Sequence, residues 1–180
     1  MIMQNRILEH HMSNYKDLSV VQVKSFPNIS IRQGWLFWGF YGHSTINHDY
    51  NLKTIGGDKV IIDRATGLMW HQNGSITCMS WNDVQEWMVS LNNNGFAGYH
   101  DWRLPTVEEA ASLLAPREGN TYKKLLIDPI FSNKQQWIWT GDKFGTEAMW
   151  HVNFSYGSVY WGLINSSYIF SNVRPVRSGE

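Results

Sequence analysis

Apolar and polar positions follow different periods in successive parts of the chain. Val60-Ile61-Ile62 is a β-branched run, Asp63-Arg64-Ala65-Thr66-Gly67 supplies turn residues, and Leu68-Met69-Trp70 resumes the apolar run. The pattern predicts a hairpin closed by Gly67. Ser80 stands three residues before Asp83, so its hydroxyl can cap a helix whose positive end lies beside the carboxylate. Trp81, Val84, Trp87, Met88 and Leu91 recur at steps of three and four and make one core-facing stripe, and Asn92-Asn93-Asn94-Gly95 supplies the stop. A second start lies at Thr106, with Glu109 placed to reach back in a capping box and Pro105 favouring an extended approach. Val107, Ala110, Ala111 and Leu114 form its buried stripe, and the helix should end before Pro116. Each helix is expected to run about three turns.

From Trp137 onward, alternation replaces the helical period. Ala148, Trp150, Val152 and Phe154 fall on one strand face, and Glu147, Met149, His151 and Asn153 on the other. Ser155-Tyr156-Gly157 can reverse the chain into a strand over Ser158 to Ile164, and Val173 to Arg177 offers a last strand. A hairpin, two helices and then strands give an α+β fold rather than a βαβ repeat. The first 55 residues are less defined: Leu18 and Val20 to Val23 suit a strand, and Ile29 to Tyr41 another pair. Trp35, Leu36, Phe37, Trp38, Phe40 and Tyr41 crowd into seven positions. They suit either a strand buried on both sides or an oligomer or attachment surface. A change of texture at Gly56-Gly57-Asp58 separates an N-terminal extension, 1–58, from a domain at 59–177 and a tail at 178–180.

Composition narrows the function classes. Fifteen Lys and Arg balance fifteen Asp and Glu, which removes the basic footprint that nucleic-acid binding needs. The single cysteine, Cys78, precludes an internal disulfide framework or a thiolate zinc cluster. The opening residues lack the apolar stretch of a Sec signal peptide, and the most apolar run, Gly34 to Gly42, is too short for membrane insertion. Ten Trp, eight Tyr and eight Phe make aromatic rings the dominant resource, some of them expected as surface anchors.

Candidate chemistry is sparse. None of the seven histidines pairs at the i, i+4 spacing of a helical metal site, and His43 with His48 and Asp49 offers only a chance zinc pair. Cys78, seven residues after His71, reads as a partly buried, quiet thiol. Asp101 and Arg103 flank Trp102 just before the second helix and read as an ion pair that fixes the loop. Neither a catalytic set nor a metal or other cofactor is expected.

Several of these segments, in order, resemble the Lcl C-terminal domain family over residues 59–177. They are Asp63 to Trp70, Trp81, Gly98-Tyr99-His100-Asp101-Trp102-Arg103-Leu104-Pro105-Thr106, Trp137 to Thr140, Ala148 to Phe154 and Val173 to Arg177. The resemblance implies a C-type-lectin-like fold of the formylglycine-generating-enzyme variety, with two helices beside a small twisted antiparallel sheet. It also implies a surface-binding role, including adhesins for sulfated polysaccharide, without calcium. Trp81-Asn82-Asp83 matches a calcium-ligand tripeptide of C-type lectins, but here it opens a helix and lacks the partner motif. The related oxidases need a cysteine pair that Cys78 alone cannot supply. Proteins of this fold also serve as variable products of diversity-generating retroelements.

Within the domain, Ser155 to Asn172 carries no charge, and Ser, Tyr, Gly and Asn fill 12 of its 18 positions. Antibody paratopes use the same palette. The expected contact residues are Tyr156, Tyr160, Trp161, Asn165, Ser167, Tyr168 and Phe170, with His151 and Asn153 on the adjoining strand; Arg103, Arg174 and Arg177 are expected as scaffold. The expected partner is a protein or glycan on a target cell surface, bound by a noncatalytic protein carried on a virion or cell surface. An invariant glycan-binding adhesin and an enzyme using the same groove are the competing readings. Self-association or attachment to a larger particle would fall to the Trp35 to Tyr41 cluster.

Overall fold

Two antiparallel sheets and three α-helices organise residues 15–35, 38–117, 124–166 and 169–179, the part of the chain described in a computed structural model. Near the N-terminus the Ser19 hydroxyl accepts the Gln22 N–H at 3.3 Å, and the Gln22 side chain accepts the Ser19 N–H at 2.9 Å. This capping box starts helix α1 (Val20–Val23), so the valines that suggested a strand are overruled by a local cap. Strands β1 (Ile29–Trp35) and β2 (Gly39–Ser44) form the expected pair. Strand β3 (Tyr50–Ile55) pairs with β4 (Asp58–Asp63), and β4 with β5 (Leu68–His71) across the turn closed by Gly67.

Helix α2 (Trp81–Asn94) starts at the Ser80 cap and ends where Gly95 adopts φ 65°, ψ 49°. Val84 and Met88 are buried, while Trp81, Trp87 and Leu91 are half-buried against the same cluster. Helix α3 (Val107–Ser112) carries the full Thr106–Glu109 capping box but is shorter than the spacing suggested. Its end is taken up by other partners: Leu113 N–H turns back to Ala110 O, and a ring nitrogen of His48 lies 2.8 Å from Ser112 O. Strands β6 (Trp137–Phe144), β7 (Ala148–Asn153), β8 (Ser158–Leu163) and β9 (Val176–Ser178) complete the fold. No helix among the described residues is long and apolar enough to cross a membrane.

One sheet has the order β1-β2-β8-β7-β6 and the other β3-β4-β5-β9. Residues before and after position 58 are therefore interleaved: β2 is hydrogen-bonded to β8, and β3 to β4. One face of the five-stranded sheet carries Phe40, Ile138, Trp150, Val152 and Val159 into a core shared with Val107, Ala110 and Ala111 of α3 and Val23 of α1. The other face carries Trp139 and Met149 against Met79, Trp81 and Ile169. Three buried tryptophans also tie down crossing segments through their indole N–H groups. Trp150 donates to Leu18 O, Trp139 to Met79 O and Trp102 to Phe96 O, each at 3.0 Å.

Candidate functional site

The expected contact residues divide among several environments. Alternation places His151 and Tyr160 on one face by direct pairing across β7 and β8, and Trp150 and Trp161 on the other. His151 and Asn153 are 0% and 1% exposed, so neither side chain is placed on the surface where contact residues were expected. The physical reason is coverage from both sides. After β8 the chain returns across their face, where Met79 exchanges backbone hydrogen bonds with Ser171 and Asn172 N–H donates to Trp137 O. A His151 ring nitrogen meets the Ser171 hydroxyl at 3.0 Å, and burial pushes the imidazole down to about 3. Tyr160 is half-buried between Trp137, edge-on at 5.4 Å, and His151, stacked at 5.8 Å. Burial pushes its hydroxyl up, partly offset by a hydrogen bond with Asn153.

Trp161 lies in a stack on the opposite face. Its ring is 4.6 Å from Trp38 and 4.5 Å from Phe144, with interplanar angles of 17° and 13°. Trp38 is 52% exposed, and Leu163, two residues beyond Trp161 on the same face, is 49% exposed. Asn165 follows and is exposed, as are Phe170 at 50% and Tyr156 at 53%. Tyr156 sits in the β7–β8 turn, at the far end of β8 from Leu163 and roughly 20 Å away at about 3.3 Å per residue. Ser167 and Tyr168 lie outside the described residues, as do Leu36 and Phe37.

The aromatic cluster near β1 thus splits: Phe40 is fully buried, Tyr41 half-buried and Trp38 outward. Sequence reasoning grouped Trp38 with its neighbours and passed over Phe144 and Leu163. The signal available was their position at strand ends, which becomes informative only once β2 is known to pair with β8. That pairing depends on Gly39. A Cβ there would lie 1.9 Å from Val159 O, so only glycine lets β2 approach β8 closely enough for Trp161 N–H to reach Trp38 O at 3.3 Å.

The loop before α3 is built differently from the expected single ion pair. Asp101 pairs with Arg177 at 2.7 Å, and Arg103 with Glu109 through two contacts of 2.7 Å. The capping box already fixes the Glu109 carboxylate for Arg103, and the strand beside the loop brings Arg177 to Asp101. Burial opposes the charge on Arg103, but the Glu109 carboxylate outweighs it and holds the guanidinium above its ordinary value. Arg174 is fully buried, donates to the carbonyls of His71 and Ser132 at 3.3 and 3.1 Å, and lies over the Phe131 ring. Burial pulls it down to about 9.

The remaining reactive types are engaged or isolated. His48 places its ring nitrogens 2.7 Å from Asp63 Oδ2 and 2.8 Å from Ser112 O, so both are already engaged. Burial pushes the Asp63 carboxyl up, but hydrogen bonds from Thr66 and His48 prevail and its net shift is downward. Cys78 is exposed, not partly buried, because it lies in the open run just ahead of α2; its thiol donates to Asn172 Oδ1 at 3.3 Å. His71, seven residues before it, is stacked on Phe96 at 3.9 Å and accepts the Gly74 N–H. Burial, helped by the Arg174 charge, pushes His71 down to about 4. Among the described residues, no three His, Cys, Asp or Glu side chains converge as a metal site would require.

With two helices, a hairpin and the Asp-Trp-Arg-Leu-Pro-Thr loop in place, the matched region is defined. The chain belongs to the Lcl C-terminal domain family, whose profile matches residues 59–177, about two thirds of its length. No curated protein and no solved structure matches it significantly. Strands β1 to β3, including Trp38, precede the matched region.

Proposed function

We propose that this protein is a noncatalytic recognition module of C-type-lectin-like architecture that docks on a protein or glycan of a target surface. The observation that carries the reading is the outward Trp38–Trp161–Phe144 stack, continued by Leu163 and Asn165 at one end of the five-stranded sheet. Preorganised aromatic rings give large contact area at small entropic cost, and half-exposed tryptophan is the residue type most enriched among binding hot spots. Diversification of the uncharged Ser155 to Asn172 segment by a retroelement fits its composition and would leave the ion-paired loop framework untouched. The burial of His71 and His151 and the pairing of the Cys78 thiol with the Asn172 amide oxygen favour binding over catalysis.

A screen of the full chain against arrayed glycans and intact cell surfaces tests the reading. The expected outcome is at least one target bound by wild type and lost by Leu163→Asp, but kept by Ile76→Ala, which alters an exposed apolar residue outside the stack. Equal retention by Leu163→Asp would reject the surface, and turnover of a target would reject the noncatalytic assignment.

A further inference from the structure

Away from the Trp stack, where the β7–β8 turn meets the first hairpin, lies a small cavity of about 120 Å³. Its polar lining is Arg32, His43, Arg117 and Tyr156, and Pro116 and Leu126 supply apolar wall. No carboxylate lines it among the described residues. We propose that this cavity binds one compact oxyanion of the phosphate or sulfate type.

The site is built by the backbone. Between Ile31 and Gln33 the β1–β2 register shifts, which makes Arg32 the extra residue of a bulge. Bulges redirect side chains, and here the guanidinium lies 5.6 Å from the Tyr41 ring centre. His43 pairs with Ser30 just beyond the bulge. Opposite them, Arg117 donates to the carbonyls of Ser155 and Tyr156 at 3.4 and 3.3 Å, which fixes the turn that carries the Tyr156 ring. Gly157, at φ 66°, closes this turn, and its N–H donates to Asn153 O while Gly42 N–H donates to Gly157 O, both at 2.9 Å. Two strands, the turn and the segment after α3 therefore bring these four polar residues to the lining of one space.

Guanidinium groups suit oxyanions because their planar forks donate two hydrogen bonds at once. None of the ion pairs among the described residues involves Arg32. The volume has room for a few waters or one tetrahedral ion and is well below the roughly 300 Å³ at which drug-sized ligand sites begin. Arg32 and His43 stand on strands that precede the family's matched residues, so the family match does not by itself account for the site. It is independent of the proposed recognition surface: an anion would seat here whether or not the Trp stack docks on a target.

Calorimetric titration of the full chain with inorganic sulfate, inorganic phosphate and sodium chloride at matched ionic strength tests the site. Saturable 1:1 binding of sulfate or phosphate is expected, with none for chloride. Arg32→Gln should weaken it about tenfold or more, the scale of one lost charge-assisted contact, whereas Arg64→Gln in the β4–β5 turn should not. Because Arg32 is exposed, the variant should keep the wild-type Tm. Glucose 6-sulfate and glucose 6-phosphate, set against glucose, distinguish an ester-borne group from the free ion as the natural source. Identical isotherms for wild type and Arg32→Gln, or equal response to sulfate and chloride, would overturn the proposal.

Discussion

Buried histidines make the clearest residue-scale expectation. His71 is held to about 4 and His151 to about 3, against an ordinary value near 6.5. As pH falls from 6.5 toward 4, the unfolded chain takes up protons that the folded chain refuses, so stability is lost on acidification. Each histidine contributes at most about 1.4 kcal/mol per pH unit over that window, and Asp63, shifted downward, acts in the same direction at lower pH. Thermal melts from pH 7 to 4 should therefore show Tm falling, and His71→Gln should flatten the dependence while leaving an acceptor for Gly74 N–H. An unchanged slope in that variant would remove His71 from the account. Sequence alone put His151 on the correct face of its strand but could not show its depth, because alternation reports sidedness and not what later returns to cover that side. Cys78 erred the other way: nothing local marks its segment as open to solvent.

At the scale of elements, local signals succeeded where caps and turns acted within a few residues. Ser80, Gly95, Thr106 with Glu109, and Gly67 all stand where the pattern placed them. The failures have one kind of cause, a partner distant in sequence. Helix α3 stops early where His48 meets its last carbonyls, and Asp101 and Arg103 separate because Arg177 and Glu109 are better placed than each other. The exception is α1, where the Ser19–Gln22 box was readable but the β-branched run argued more loudly for a strand. Gly39 tests the pairing of β2 with β8 directly. Gly39→Ala should cost about 2 kcal/mol or more, since the added methyl would strike Val159 O. It should also shift the Trp emission spectrum as the Trp38–Trp161 stack opens. Wild-type Tm and emission would contradict the close approach.

Across the whole molecule, the N-terminal strands and the family region form one structure. Without β2, strand β8 would be a sheet edge with open hydrogen-bonding groups. With it, Trp38 is delivered onto Trp161, so the proposed recognition surface draws on both parts of the chain. That division explains why the site was only half visible in the sequence. The Ser- and Tyr-rich C-terminal segment stood out by composition, whereas Trp38 contributes through a pairing more than one hundred residues distant. Among the described residues, Trp70, Trp102, Trp139 and Trp150 fill the cores, whereas Trp38, Tyr156 and Phe170 are the exposed large rings.

The most direct test is the dissociation constant of Trp38→Ala for a target bound by wild type, measured alongside its Tm. Truncating a half-exposed ring in a stack should cost about 1 kcal/mol of stability, whereas loss of a central anchor should weaken binding at least about tenfold. An unchanged dissociation constant in a folded Trp38→Ala protein would contradict the account.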